Sequence, residues 1–211
     1  LAERRRVAVR SSAVAEDSET ASFAGQQETF LNVRGADEVL QRLRECWVSF
    51  FAPRALFYRA EKGALNDTRM AVVVQEMVAA DKSGVMFTVD PVSKDAGRLV
   101  IEAVFGLGEG IVSGLITPHH YVIGRSDGAV LDEFVPVQLL AIMCDSESGG
   151  TQEVALDEVQ GNSRVLSDGE LGELRVMGLR LEACFGKPQD VEWCIRGGEL
   201  SLLQSRPIPT R

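Results

Sequence analysis

The stretch Asp190-Val191-Glu192-Trp193-Cys194-Ile195, Arg196-Gly197-Gly198, Glu199-Leu200-Ser201-Leu202-Leu203-Gln204-Ser205-Arg206-Pro207-Ile208 reads as two alternating strands around a Gly-Gly turn. Side chains alternate across a strand, so Val191, Trp193 and Ile195 form one apolar face and Asp190 and Glu192 share the other. On the returning strand Gln204 and Arg206 alternate with Leu203 and Ser205. With an odd number of loop residues, Glu192 pairs with Gln204 and Asp190 with Arg206. That register gathers two carboxylates, an amide oxygen and a guanidinium on one patch. Such a patch suits a divalent metal and a polyphosphate better than it suits a core. A two-residue Gly-Gly loop is expected to shift the register by one and split it.

Upstream of this hairpin, Ser167-Asp168-Gly169-Glu170 matches a capping box. It opens a helix with an expected buried stripe of Leu171, Leu174, Met177, Leu181 and Cys184, ended by Gly186 and Pro188. Residues 141–166 are polar and read as loop with one or two edge strands. Tyr121-Val122-Ile123 and residues 129–137 form a hairpin over the 124–128 turn. Phe105-Gly106-Leu107-Gly108-Glu109-Gly110 is a glycine-rich turn feeding a short helix. Strands are expected at 98–103, 83–89 and 70–78, the last interrupted by Gln75-Glu76.

Val39, Leu40, Leu43, Cys46, Trp47 and Phe50 recur at helical spacing over 36–51. A second helix follows Pro53 and runs to about Lys62, and Asn66-Asp67 is a turn. Val7 to Val9 is a short buried strand that Arg10-Ser11-Ser12 ends. An acidic loop through Glu19 precedes Ser22 to Val33, first flexible and then strand-like. Strands, helices and strands without strict βαβ alternation make an α+β order.

The charge balance, 22 basic against 31 acidic residues for a net −9, argues against a nucleic-acid partner. No stretch approaches the ~20 apolar residues of a membrane span. Arg4-Arg5-Arg6 leads straight into Val7-Ala8-Val9, so no secretory leader is expected. Cys46, Cys144, Cys184 and Cys194 lack metal-ligand spacing and are expected as free thiols in a cytoplasmic protein. The chain begins at Leu1 and enters strand and motif at once, as a fragment of a longer chain would.

Phosphoryl chemistry from a nucleotide needs a metal, cationic clamps and backbone N–H groups on the phosphate oxygens. Arg10 beside two serines can bind phosphate bidentately, but taken alone it reads more readily as a surface arginine at a strand end. Ser22 to Thr29 can form a mobile flap, with Gly25 allowing close approach and Thr29 offering a hydroxyl, or an ordinary turn. Gln75-Glu76 fits an adenine hinge or a strand emerging into solvent. The glycine run at 106–110 lacks the Gly-Lys-Ser/Thr of a phosphate loop. His119-His120 has no partner at ligand spacing and reads as a strand start. Glu192 with Gln204 is the sharpest pair, because Mg²⁺ prefers oxygen ligands and keeps waters.

Taken as a set, these residues resemble a known family. Val9-Arg10-Ser11-Ser12-Ala13, Glu16-Asp17 and Ala21-Ser22-Phe23-Ala24-Gly25-Gln26-Gln27-Glu28-Thr29 are similar to the ATP-binding domain of phosphoenolpyruvate synthase, pyruvate phosphate dikinase and rifampin phosphotransferase. Gln75-Glu76-Met77-Val78, Ser83-Gly84-Val85-Met86-Phe87-Thr88, Phe105-Gly106-Leu107-Gly108-Glu109, Gly186-Lys187-Pro188-Gln189-Asp190-Val191-Glu192-Trp193 and Leu203-Gln204-Ser205-Arg206-Pro207-Ile208 follow in the family's order. The likeness is weakest over 141–166.

The resemblance implies an ATP-grasp fold, in which two α+β lobes hold the nucleotide, with mixed or antiparallel sheets and packed helices. It implies that Arg10, Gly25, Thr29, Gln75, Glu192, Gln204 and Arg206 contact ATP or its Mg²⁺. Arg10 and Arg206 would clamp phosphate, Gly25 and Thr29 belong to the flap, and Gln75 lies at the adenine hinge. Glu192 and Gln204 would be the Mg²⁺ ligands, with Asp190 in support. If Glu192 and Gln204 face the same way, the turn at Gly197-Gly198 should be longer than two residues.

In such enzymes ATP phosphorylates a mobile histidine, which passes the group to an acceptor, leaving AMP and phosphate. The lysine-bearing N-terminal lobe, the phosphohistidine domain and the acceptor domain are expected elsewhere in a full-length chain, so residues 1–211 carry no catalytic histidine of their own. Residues 182–194 and 108–115 look closer to rifampin phosphotransferase than to phosphoenolpyruvate synthase. The expected acceptor is therefore a rifampin-type antibiotic, with pyruvate as the alternative. A nucleotide-binding module without phosphotransfer is the reading of another class.

Overall fold

The computed structural model describes residues 5–13, 17–18, 21–22, 28–61, 69–147 and 149–208; Gly25 and the Asn66-Asp67 turn lie outside them. The chain forms two compact units, Leu1–Met77 with Cys144–Thr151 and Pro209–Arg211, and Val78–Met143 with Gln152–Ile208.

The first unit contains β1 (Arg6–Ala13), β2 (Asp17–Ser18), β3 (Ala21–Ser22), β4 (Thr29–Arg34), α1 (Ala36–Ser49), α2 (Pro53–Glu61) and β5 (Met70–Glu76). Its main sheet is antiparallel in the order β4-β1-β5. Strand β1 outruns the expected Val7 to Val9, because Ser11, Ser12 and Ala13 continue the ladder to Val72, Ala71 and Met70. Arg10 is thus a mid-strand residue, paired on both sides, rather than a strand end.

One face of this sheet buries Val7, Val9 and Val33 with Cys46 of α1, and Phe30, Val39, Met70 and Val72 pack around them. The apolar residues of α1 divide into two stripes instead of one. Cys46 is buried and Val39 packs on the core, whereas Leu40, Trp47 and Val48 are exposed. A bulge in β4, between the pairs Val7–Val33 and Val9–Phe30, places Asn32 in the left-handed region at φ 59°. Buried there, its Nδ2 donates to the Asp145 carbonyl at 2.8 Å and to that of Gly150. Arg6 donates to the carbonyls of Asp145 and Ser146. These long-range bonds fix a segment whose own sequence is uninformative.

The second unit contains β6 (Lys82–Phe87), β7 (Arg98–Phe105), α3 (Glu109–Val112), β8 (His119–Gly124), β9 (Val130–Phe134), all but the last residue of β10 (Leu140–Cys144), all but the first of β11 (Thr151–Ala155), α4 (Glu158–Gly161), α5 (Asp168–Phe185), β12 (Gln189–Arg196) and β13 (Glu199–Pro207). Its main sheet has six antiparallel strands in the order β13-β12-β6-β7-β8-β9. Strands β10 and β11 pair with each other, so the polar stretch 141–166 is more regular than its composition suggests.

The core lies on one face of the six-stranded sheet. Met86, Ile101, Tyr121, Val191, Trp193 and Ile195 pack with Leu171 and Leu174 of α5. Gly84 is required beneath Trp193: a Cβ there would stand 1.9 Å from the Glu102 carbonyl oxygen and 2.7 Å from the indole ring. Helix α5 begins with the expected capping box, Ser167 and Glu170 each satisfying the other's backbone N–H, and ends at Gly186 in the left-handed conformation. Its stripe fades along the helix. Leu171 and Leu174 are buried, Met177 and Leu181 partly so, and Cys184 is exposed, contrary to expectation. Val176, Met177, Leu181, Cys184 and Leu200 instead line an open groove of about 720 Å³.

Candidate functional site

In the closing hairpin the side chains of the opening patch stand in the expected register: Glu192 opposes Gln204 and Asp190 opposes Arg206. The expected reason is wrong. Arg196 pairs with Glu199, so the turn is only Gly197-Gly198, and both glycines have positive φ, 57° and 82°. That is the backbone of a two-residue hairpin turn that favours glycine. The register is restored by a bulge between Glu192 and Trp193: Trp193 pairs with Leu202 and Glu192 with Gln204, which leaves Leu203 as the extra residue. One inserted residue converts an even turn into the odd offset that the patch needs.

Within the patch, Asp190 and Arg206 are bound to each other. Arg206 donates from Nε at 2.8 Å and from Nη2 at 2.7 Å to Asp190 Oδ2. The Asp190 side chain is 14% exposed and that of Arg206 28%, so the ion pair is sheltered from full screening. Asp190 fixes the guanidinium, and Glu192 supplies the carboxylate that a cation would take. Glu192 and Gln204 are both half-buried and offer hard oxygen donors side by side. That donor set fits Mg²⁺, which takes one or two carboxylates and completes its shell with water and phosphate. Among the described residues no group of three His, Cys, Asp or Glu side chains is arranged to hold a metal alone.

In the first unit, Arg10 opposes Thr29 on β4 and Val73 on β5, and Ala8 opposes Gln75. Directly opposed residues share a face. Arg10, Thr29 and Gln75 therefore stand together on the face away from Val9 and α1. Arg10 and Gln75 are half-buried and Thr29 is exposed. Strand β5 is an edge strand of this sheet, as an adenine hinge would be, and its last residue Glu76 receives a two-point hydrogen bond from Arg5 Nη1 at 2.9 and 2.8 Å. Gly25, the remaining expected contact, lies outside the described residues.

Part of each of two tempting motifs is taken up by the fold. In the glycine run the Gly106 N–H is bonded to the Asp81 carbonyl and that of Leu107 to Ile142, each at 2.8 Å, so both donors are satisfied internally. His119 is fully buried between Phe105 and Tyr121, where burial lowers its pKa. His120, by contrast, reaches the same sheet face as Glu192, and so does Glu102, which sequence reading passed over. Its signal was present: Glu102 is the single charged residue inside the apolar run Leu99–Phe105.

The whole chain, residues 1–211, matches the family described as pyruvate phosphate dikinase, AMP/ATP-binding domain. The chain belongs to this family. It is 53% identical over 205 residues to a probable phosphoenolpyruvate synthase of Archaeoglobus fulgidus, covering 97% of this chain and 27% of that protein. It is 50% identical to a protein of the same name from Methanothermobacter thermautotrophicus, with 97% of this chain and 30% of the relative covered. It is 45% identical to a rifampicin phosphotransferase of a Streptomyces species, covering 99% of this chain and 24% of that protein. The chain thus spans about a quarter of the length of these relatives. Among the described residues no helix is long and apolar enough to cross a membrane.

Proposed function

We propose that the chain is the ATP-binding module of a histidine-relay phosphotransferase, which uses ATP, yields AMP and phosphate, and phosphorylates an acceptor bound elsewhere in a longer protein. The observation that carries this reading is the register of Glu192 with Gln204 beside the Asp190–Arg206 pair, in a chain of this family. Glu192 and Gln204 hold Mg²⁺, and Arg206 and Arg10 take phosphate oxygens as bidentate donors. Thr29 contacts the phosphates, Gln75 lies beside adenine, and Gly25 is a further nucleotide contact of this reading. The metal supplies charge neutralisation for the transferring group when bound. Asp190 keeps Arg206 oriented before the nucleotide arrives, so little reorganisation is needed.

ATP-grasp is our name for the architecture. The phosphohistidine and lysine-bearing parts belong to the remainder of the full-length protein, which works in the cytoplasm. For the acceptor we place pyruvate first, because the 53% and 50% identities belong to relatives named probable phosphoenolpyruvate synthase. The rifampin-type antibiotic favoured by residues 182–194 is second. AMP formation by the full-length protein, assayed with pyruvate and with rifampicin separately, decides between them. AMP formed with neither acceptor would remove both.

A further inference from the structure

The polar row of the closing hairpin does not stop at Glu192. Glu192 opposes Val85 on β6, Val85 opposes Glu102 on β7, and Glu102 opposes His120 on β8. Gln204, Glu192, Glu102 and His120 therefore share one face and one line across five strands. Glu102 Oε1 lies 3.7 Å from His120 Nδ1, and the two side chains are only 32% and 36% exposed. The flanking positions on this face, Val100, Val104 and Val122, are buried and apolar. A carboxylate and an imidazole thus stand side by side, partly exposed, in an otherwise apolar stretch of this face.

We propose that Glu102, with His120 beside it, is a positioning residue for the hydrated cation of the nucleotide site. This rests on the ATP-binding reading given above. Strands lie roughly 4.8 Å apart, so the Glu102 backbone stands about 9.6 Å from that of Glu192. A Mg²⁺ ion about 2.1 Å from the Glu192 oxygen, with a bound water hydrogen-bonded at about 2.7 Å to Glu102, spans roughly 7 Å. Two glutamates leaning toward each other close the difference. Val85, half-buried, is the residue between them in this line. His120 stands beside this carboxylate at 3.7 Å, the place an outer-shell partner takes at a metal site.

The test titrates Mg²⁺ against ATP affinity, by calorimetry, in the parent chain and in Glu102→Gln, His120→Asn and Glu192→Ala. Manganese relaxation of bound water in the Mn²⁺–ATP complex is read in parallel, since a merely structural role would not move it. Glu102→Gln is expected to raise the Mg²⁺ concentration for half-maximal effect about tenfold, the lower end for outer-shell partners. It should leave metal-free ATP affinity and the melting temperature unchanged, and His120→Asn should act in the same direction with smaller size. An unchanged Mg²⁺ requirement and unchanged water relaxation in a folded Glu102→Gln variant, with Glu192→Ala impaired, would overturn the proposal alone. A parent chain that binds no ATP would overturn the ATP reading itself and this inference with it.

Discussion

Arg206 and Asp190 are locked across the closing hairpin, Nε and Nη2 of the guanidinium both within 2.8 Å of one carboxylate oxygen. The arginine is thereby aimed before any ligand is present. Asp190→Asn keeps the size of the side chain but removes its charge. We expect it to lower ATP affinity about threefold to tenfold, roughly 0.7–1.4 kcal/mol. It should cost about 1–2 kcal/mol of stability, below the figure for a fully buried pair. Calorimetry and urea unfolding measure the two separately.

Close approach and turn geometry give a stability prediction independent of function. Gly84→Ala drives a methyl group into the Glu102 carbonyl and the Trp193 ring, and should cost about 3 kcal/mol or more. Gly198→Ala meets no neighbour but must hold φ near 82°, and should cost about 1–2 kcal/mol. Thermal melting should rank the two in that order.

Glu170 sets a pH dependence. Burial alone would push its carboxyl up, but hydrogen bonds from Lys82 and from Ser167 outweigh it and hold the pKa below the usual carboxylate range. Lys82 Nζ lies 2.8 Å from the carboxylate. A folded pKa below the unfolded one contributes stability above the unfolded value of about 4.3, lost as pH falls through the folded value. Glu170→Gln should therefore be less stable than the parent at pH 7, and the gap should narrow as the pH falls below about 4. A gap that stays constant from pH 7 to pH 3 would remove the ion pair from the account.

Thiol reactivity reports the packing of the second unit. Burial pushes the Cys194 thiol up to about 11, and Cys184 is exposed on α5. At pH 8 a maleimide should label Cys184 in the native chain and Cys194 only after unfolding, as mass spectrometry of tryptic peptides would show. Rapid native labelling of Cys194 would contradict its burial.

Alternation alone revealed the two faces of β12, because Val191, Trp193 and Ile195 recur with period two and pack as one surface. The capping box of α5 was legible for a similar reason: its chemistry is complete within four residues. What stayed hidden depends on partners distant in sequence. The bulge at Leu203 leaves no residue signature, so the correct pairing was reached through an incorrect turn. The length of β1 depends on β5, some sixty residues away, and the 144–151 segment on Arg6 and Asn32. The row linking Glu192 to Glu102 and His120 needs the strand order β12-β6-β7-β8, which no local pattern encodes.

The central claim is that Glu192 and Arg206 serve metal and phosphate of one bound ATP. Calorimetric titration of ATP into the parent, Glu192→Ala and Arg206→Ala, each with and without Mg²⁺, tests it most directly. The account predicts Mg²⁺-dependent binding by the parent, loss of the Mg²⁺ dependence in Glu192→Ala, and affinity weakened about tenfold or more, at least ~1.4 kcal/mol, in Arg206→Ala. Parental affinity and parental Mg²⁺ dependence in both variants would contradict it.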